Sequence, residues 1–365
     1  MRADLIDLLR SPCCHANLHL ADAEMERDEI WRGRLTCAAC GAGYPVLRGM
    51  PQLYRDDERW WPKAREAEGW VTFHKNLGIY DVVEDAIDLH IPYYPQEPWI
   101  SVARSFDVAM QMIALTGRET ILDLGAGRGW AAKHFARLGC RVVALDVVAD
   151  DNVGLGRAKG LMDHAGVYFD RLIGDGENLP LAPDSFDLVF SAAALHHSSH
   201  LPELLQQVAK VLKPGGRLLA VREPCISIAE DEAATLAGVA ADEMAVGINE
   251  TRPDLVDYFD ALRGAGLRVE RGITPDTYGM DSAELTARSR QWGALRPPLT
   301  PTRPRAALAS QRTYWGHRWR ALRAGRYFAG RRALAAFSGR TQLELAQLLW
   351  CGGELTLIAV KPANG

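Results

Sequence analysis

The sequence predicts an α/β fold organised around a parallel sheet, and three observations carry that reading. The stretch Ile121-Leu122-Asp123-Leu124-Gly125-Ala126-Gly127-Arg128-Gly129-Trp130 runs from an apolar segment through an acidic residue into three glycines at every second position. That pattern is a buried strand breaking into a tight turn that opens a helix. Further strand-like runs follow at 141–145 and 187–191, at the spacing that alternating strands and helices require. The composition, with 48% hydrophobic and 24% charged residues over 365 positions, is that of a globular chain able to bury such a sheet.

The turn is suited to a ligand. Glycine lacks a Cβ, so the backbone there can take positive φ and a small molecule can lie against its peptide groups. The helix expected over 131–138, stopped by Gly139, aims its N-terminal N–H groups at the same place. The second run ends on Asp146, about twenty residues past the first glycine, where a carboxylate can accept both hydroxyls of a ribose. The spacing departs from the dinucleotide fingerprint: it is G-x-G-x-G, with Asp123 two residues ahead of Gly125.

With that departure the stretch resembles motif I of the class I S-adenosylmethionine-dependent methyltransferases, of the type 11 kind. Three later segments extend the resemblance: Asp146, then Gly174-Asp175-Gly176 followed by a strand at 187–191, and Val211-Leu212-Lys213-Pro214-Gly215-Gly216 leading into a fifth strand. It implies a Rossmann-like, seven-stranded sheet with S-adenosyl-L-methionine as cofactor. It also implies cofactor contacts at Asp123, Gly125, Ala126, Gly127, Asp146, Asp175 and Gly176, with Asp175 on the adenine amino group and the Gly176 N–H at the ring. The alternative is a nucleotide-binding domain of other use.

Charge and targeting signals narrow the setting. A net charge of −4 gives no global attraction to nucleic acid or membrane. The first ten residues contain two acids and no sustained apolar core, and no run approaches the roughly eighteen apolar residues of a span, so a cytoplasmic protein is expected. Four of the seven cysteines lie in the first forty residues, which in a reducing compartment points to metal before disulfide.

That first region, 1–55, has Pro12-Cys13-Cys14-His15, a short alternating stretch at 17–20, a charged turn, and then Cys37-Ala38-Ala39-Cys40-Gly41. C-x-x-C before glycine aims two thiolates at one ion. The region resembles the zinc-ribbon domain that activates RNA and protein methyltransferases and is also found fused ahead of class I domains. The resemblance implies a structural zinc on Cys14, Cys37 and Cys40, with Cys13 or His15 as fourth ligand, because Ser11 stands where the first cysteine is expected. A ribbon that keeps its fold without the ion is the other reading.

Residues 56–118 are expected to form a helical connector or lid. Tyr93, Tyr94, Trp99 and Arg104 are candidates for the substrate entrance, or else staples between ribbon and core. After the fourth strand comes Ala194-Leu195-His196-His197-Ser198, at the sheet edge where open α/β domains bind ligands. His196 or His197 could remove a proton from a hydroxyl as the methyl arrives, or could only pack the loop; Glu223 is a second candidate. No motif for amino groups of bases appears, and no cysteine is placed for a pyrimidine adduct.

The core is expected over 119–274, with the last strand and tail at 351–365. Between them, 275–350 forms a basic helical insert. From Leu285 to Leu343 it holds thirteen arginines, no lysine and no acidic residue, interleaved with Trp292, Tyr314, Trp315, Trp319 and Tyr327 and broken by prolines between 297 and 304. Arginine suits phosphate and carboxylate recognition, so nucleic acid, a phosphorylated or lipid-linked carbohydrate and an anionic membrane face all fit, as does a merely solvated face. The functional expectation is methylation of oxygen, less readily nitrogen, on a glycan-like or other small biosynthetic substrate. An RNA methyltransferase and an inactive cofactor-binding scaffold are the alternatives.

Overall fold

The structure, a computed structural model, describes residues 1–80, 87, 89–297 and 304–363. Among these, four strands come from the ribbon region: β1 (Leu18–Glu26), β2 (Glu29–Cys37), β3 (Gly43–Leu47) and β4 (Met50–Leu53). Helix α1 (Trp60–Asn76) and helix α2 (Trp99–Gln111) follow. The α/β unit then alternates β5 (Thr120–Leu124), α3 (Trp130–Arg137), β6 (Arg141–Asp146), α4 (Ala158–Ala165), β7 (Asp170–Gly174), β8 (Phe186–Ala192), α5 (Leu201–Val211) and β9 (Leu212–Cys225). Next come α6 (Glu232–Val239), α7 (Ala241–Ala245), α8 (Leu255–Gly264) and β10 (Arg268–Ile273). Four helices occupy the insert, α9 (Ser282–Gln291), α10 (Pro304–Arg323), α11 (Tyr327–Ala335) and α12 (Gly339–Cys351), before β11 (Gly353–Val360). The expected proline break falls at 298–303, outside the described residues.

The sheet order is β1-β2-β3-β4-β7-β6-β5-β8-β9-β11-β10. Strands β7, β6, β5, β8 and β9 are mutually parallel, and β11 and β10 close that end antiparallel. This corrects the expectation of a seven-stranded sheet behind a separate ribbon. The ribbon's last strand pairs in parallel with β7, Gln52 opposite Ile173 and Leu53 opposite Gly174, so the sheet continues into the ribbon. The expected charged turn at 21–32 is also mostly strand, because β1 and β2 pair from Leu18↔Cys37 out to Glu26↔Glu29.

The continuous apolar runs have a simple cause: both faces of the sheet are covered, so alternate residues enter different cores. Leu122, Leu145, Val189, Leu218 and Ala220 join one core with α5, α8, α12 and the ribbon's Leu5, Leu35 and Val46. Ile121, Ala144, Phe190, Leu219 and Val221 join the other, against Phe106 of α2, Phe135 of α3 and Met162 of α4. The ribbon is further tied to the loop after β7: Asn178 donates to Pro12 O at 3.0 Å, and Leu9 pairs with Leu181.

Candidate active site

At the C-terminal ends of β5 to β8 the sheet opens into a cavity of about 530 Å³. Its floor is Gly125, Ala126, Gly127 and Arg128 after β5, Asp146 to Val148 after β6, Gly174 to Glu177 after β7, and Ala192 to Leu195 with His197 and Ser198 after β8. The turn that predicted a ligand is built as expected: Gly125, Gly127 and Gly129 have φ of +70°, +54° and +80°. Their roles differ. A Cβ at Gly125 would lie 2.4 Å from Ala194 Cβ, so this glycine lets the β8 loop close in. A Cβ at Gly127 would meet nothing within 4 Å, so its absence leaves open space in the cradle. At Gly129 the Phe169 ring would be 2.9 Å away, which is a packing constraint.

The carboxylates of the floor are held by backbone donors. Asp146 Oδ2 accepts the Gly127 N–H at 2.7 Å and Oδ1 the Val148 N–H at 2.8 Å, leaving each oxygen a further lone pair toward the cavity. Asp175 Oδ1 accepts the Glu177 N–H at 2.9 Å. Burial raises both carboxyls above the usual range. Asp123 is placed differently from the expectation. It does not line the cavity; it lies under the start of α3, where Oδ2 accepts the Ala132 N–H at 2.9 Å, and full burial raises it to about 7.

The two histidines separate. His197 lines the cavity, whereas His196 sits behind it, buried, with Nδ1 donating to Glu223 Oε2 at 3.0 Å. Glu223 is fully buried and also accepts from the backbone N–H of Ala194, Leu195 and His196. It therefore shapes the β8 loop and positions His196 without reaching the cavity. Two residues on this path, Ala193 and Arg222, take left-handed φ of 51° and 60°, a conformation that non-glycine residues hold only when the surroundings enforce it. His197 donates from Nδ1 to Asn249 O at 2.6 Å, and burial lowers it to about 3, so its imidazole is neutral.

The wall opposite this floor falls within the connector or lid expected over 56–118, but the residues that build it on α1 were not singled out from the sequence. Lys63, Glu66, Trp70 and His74 lie on one face of α1 and line the cavity with Ile91, Trp99 and Trp130. Lys63 Nζ donates to Glu177 Oε1 at 2.8 Å, and the same oxygen accepts from Ser198 Oγ and the Ser199 N–H, clamping α1 to two loops of the sheet. Glu66 lies 4.0 Å from His197 Nδ1 and 3.9 Å from Lys63 Nζ, and burial raises its carboxyl to about 8. The spacing i, i+3, i+7, i+11 was the available signal, but charged residues in that pattern read as a solvated face. Of the entrance candidates, Trp99 lines the cavity. Tyr93 donates to Asp107 at 2.7 Å, and Arg104 covers the Tyr278 ring at 5.6 Å, so both act as staples on the outside.

In the ribbon, ligating atoms of Cys14, Cys37 and Cys40 lie within 4.8 Å of one another, with Cys14 and Cys37 Sγ 3.5 Å apart. The Ala42 N–H holds the Cys40 thiol down at about 6. Ser11 is buried and bonds Tyr44 Oη at 2.9 Å, 3.8 Å from Cys40 Sγ. The three thiols of Cys14, Cys37 and Cys40 make a soft donor set compatible with zinc, whereas the expected fourth ligand, Cys13, falls outside that cluster.

A methyltransferase-domain family model matches residues 122–220, the segment that holds the glycine turn, Asp146 and Asp175. Methyltransferase GfsG of Streptomyces halstedii is 28% identical over 282 residues, covering 70% of this chain and 93% of that protein. A malonyl-[acyl-carrier protein] O-methyltransferase of Yersinia pestis is 34% identical over 131 residues, covering 32% of this chain and 45% of its own. Several curated relatives are matched over less than half their length. Among solved structures, an S-adenosylmethionine dependent methyltransferase from Mesorhizobium loti is 21% identical at a TM-score of 0.42, covering 72% of this chain and 99% of its own. No helix among the described residues is long and apolar enough to cross a membrane. The match over residues 122–220, together with its glycine turn and acidic strand ends, identifies an S-adenosylmethionine-dependent methyltransferase domain in this chain.

Proposed function

We propose that the chain transfers a methyl group from S-adenosyl-L-methionine to an oxygen of a glycan-like or other small biosynthetic substrate. The observation that carries this reading is the cavity itself. Its volume of about 530 Å³ lies within the roughly 300 to 1,000 Å³ of small-molecule sites, and it joins the cofactor floor to an aromatic and carboxylate wall on α1. Asp146 would hold the ribose hydroxyls, Asp175 and the Gly176 N–H the adenine, and the space at Gly127 the amino-acid end. The cofactor supplies an electrophilic methyl on a cationic sulfonium.

The protein's own contribution is orientation and one proton. Methyl transfer needs little beyond alignment once donor and nucleophile are held in line. Trp70, Trp99 and Trp130 contribute an apolar wall to the cavity. Glu66, raised to about 8, is matched to accept a hydroxyl proton near neutrality, whereas His197, lowered to about 3, serves as a neutral hydrogen-bonding partner. Zinc on the three clustered ribbon cysteines and a fourth protein ligand would be structural, since four protein ligands leave no open position.

The test is transfer of labelled methyl from S-adenosylmethionine into a cell extract divided into RNA, protein, and lipid-plus-small-molecule pools. Label in the last pool, reduced in Glu66→Gln, is the expected outcome. Label in RNA would replace this reading with the nucleic-acid one, and cofactor binding without label in any pool would favour a scaffold.

A further inference from the structure

Helix α10 presents two unlike faces. Its inner face is anchored by Arg318, which is buried, donates to the carbonyls of Gly293 and Ala294, and lies 3.6 Å over the Tyr314 ring and 4.1 Å over Trp350. The opposite face carries Leu308, Arg312, Trp315, Trp319, Leu322 and Arg323, at i, i+4, i+7, i+11, i+14 and i+15, which is one stripe of a helix. Its four apolar members are 63%, 54%, 61% and 45% exposed, and Phe328 at the start of α11 is 71% exposed. Single exposed apolar residues need no explanation; five within twenty-one positions do.

The charges carried by this segment are of one sign. No acidic residue occurs from Leu285 to Leu343. Among the described residues, Arg312, Arg320, Arg323, Arg331 and Arg332 have no carboxylate partner, whereas Arg326 and Arg340 do. Arg323 lies 5.6 Å over the Trp319 ring and Arg296 5.8 Å over that of Trp315, so two cations border the indoles. We propose that this face of α10, extended by Phe328, docks the protein on a bilayer surface that contains anionic phospholipid.

Each part of the stripe then has a use. Leucine and phenylalanine enter the boundary of the acyl chains, tryptophan sits at headgroup level, and arginine pairs with lipid phosphate. A nucleic acid would use the arginines and could stack on the indoles, but it offers nothing to Leu308, Leu322 or Phe328. The charge pattern also favours an anionic surface, because in a zwitterionic bilayer each phosphate is already balanced by a choline ammonium and the arginines gain no net attraction.

The experiment is co-sedimentation of the full-length protein with large vesicles of phosphatidylcholine alone or with about 30 mol% phosphatidylglycerol, at about 0.1 M salt. Binding about tenfold tighter to the anionic vesicles is expected. It should fall at least about tenfold in Trp315→Ser/Trp319→Ser and in Arg312→Gln/Arg323→Gln. Affinity for S-adenosylhomocysteine, unchanged in both variants, shows that they are folded and keeps this result separate from the methyl-transfer reading. No binding to anionic vesicles at about 1 mM lipid, or undiminished binding by the tryptophan variant, overturns the proposal. So does tight binding of a short single-stranded RNA that anionic vesicles do not displace.

Discussion

Replacing Glu66 by glutamine should change the pH dependence of both stability and turnover. Burial raises the carboxyl to about 8 in the folded protein, against an ordinary value of 4.5. Between those values the native state binds more protons than the unfolded chain, so stability falls as pH rises, fully present near the unfolded value and lost through the folded one. The difference corresponds to about 3 to 5 kcal/mol at full ionisation, at about 1.4 kcal/mol for each tenfold change in proton affinity. Glutamine keeps the shape and cannot ionise. In melts without cofactor from about pH 5 to 9, the variant should match wild type at the acid end and exceed it by several degrees at the alkaline end. Methyl transfer by wild type should rise with pH toward about 8, as the carboxylate forms, and this rise should vanish in the variant. Parallel melting profiles for the two proteins would refute the assignment of a buried, neutral Glu66.

The two glycines at the turn should respond oppositely. Gly125→Ala forces a contact with Ala194 and should lower stability by about 2 to 3 kcal/mol, whereas Gly127→Ala should cost about 1 kcal/mol of stability yet weaken S-adenosylhomocysteine binding more than about tenfold. The reverse ranking in paired melting and calorimetry would show that the cradle is elsewhere. Asp146→Ala should weaken cofactor binding by about 1 to 3 kcal/mol by titration calorimetry, through loss of charged hydrogen bonds and of support for the Gly127 N–H. Unchanged affinity would remove Asp146 from the site. Protein purified without chelator should carry about one equivalent of zinc, and Cys40→Ser should lose it and melt earlier; below about half an equivalent, the ribbon stands without an ion.

What could be read from the sequence was what is local. Gly125, Gly127 and Asp146 are legible because strand, turn and acidic strand tip are adjacent in the chain and their chemistry is set by residue type. Asp123 belongs to the same motif, but whether a carboxylate faces a ligand or a helix end depends on the angle at which α3 leaves the turn, which spacing does not encode. His196 and His197 are neighbours in sequence and part ways only because Glu223, on another strand, captures one of them. The residues of the α1 wall, as distinct from the expected connector or lid, were not legible for a different reason. Lys63 and Glu66 are residues that normally face water, and their burial depends on Glu177 and on Gly69, where a Cβ would meet Val246 O at 2.9 Å. The added strand β4 requires a pairing between residues more than a hundred positions apart, for which the sequence contains no turn signal.

That pairing changes what β7 is. A parallel strand at the border of a sheet presents a row of unpaired N–H and C=O groups that recruits any extended chain, its own copies included. Here Met50–Leu53 covers the row beside Ile173 and Gly174, and because it is tethered it does so at an effective concentration that a separate subunit would have to reach by expression alone. The ribbon is therefore also a guard against aggregation, and it sits beside the strand whose end carries Asp175. An α/β unit stripped of its first fifty-five residues would uncover a sticky border next to its cofactor floor.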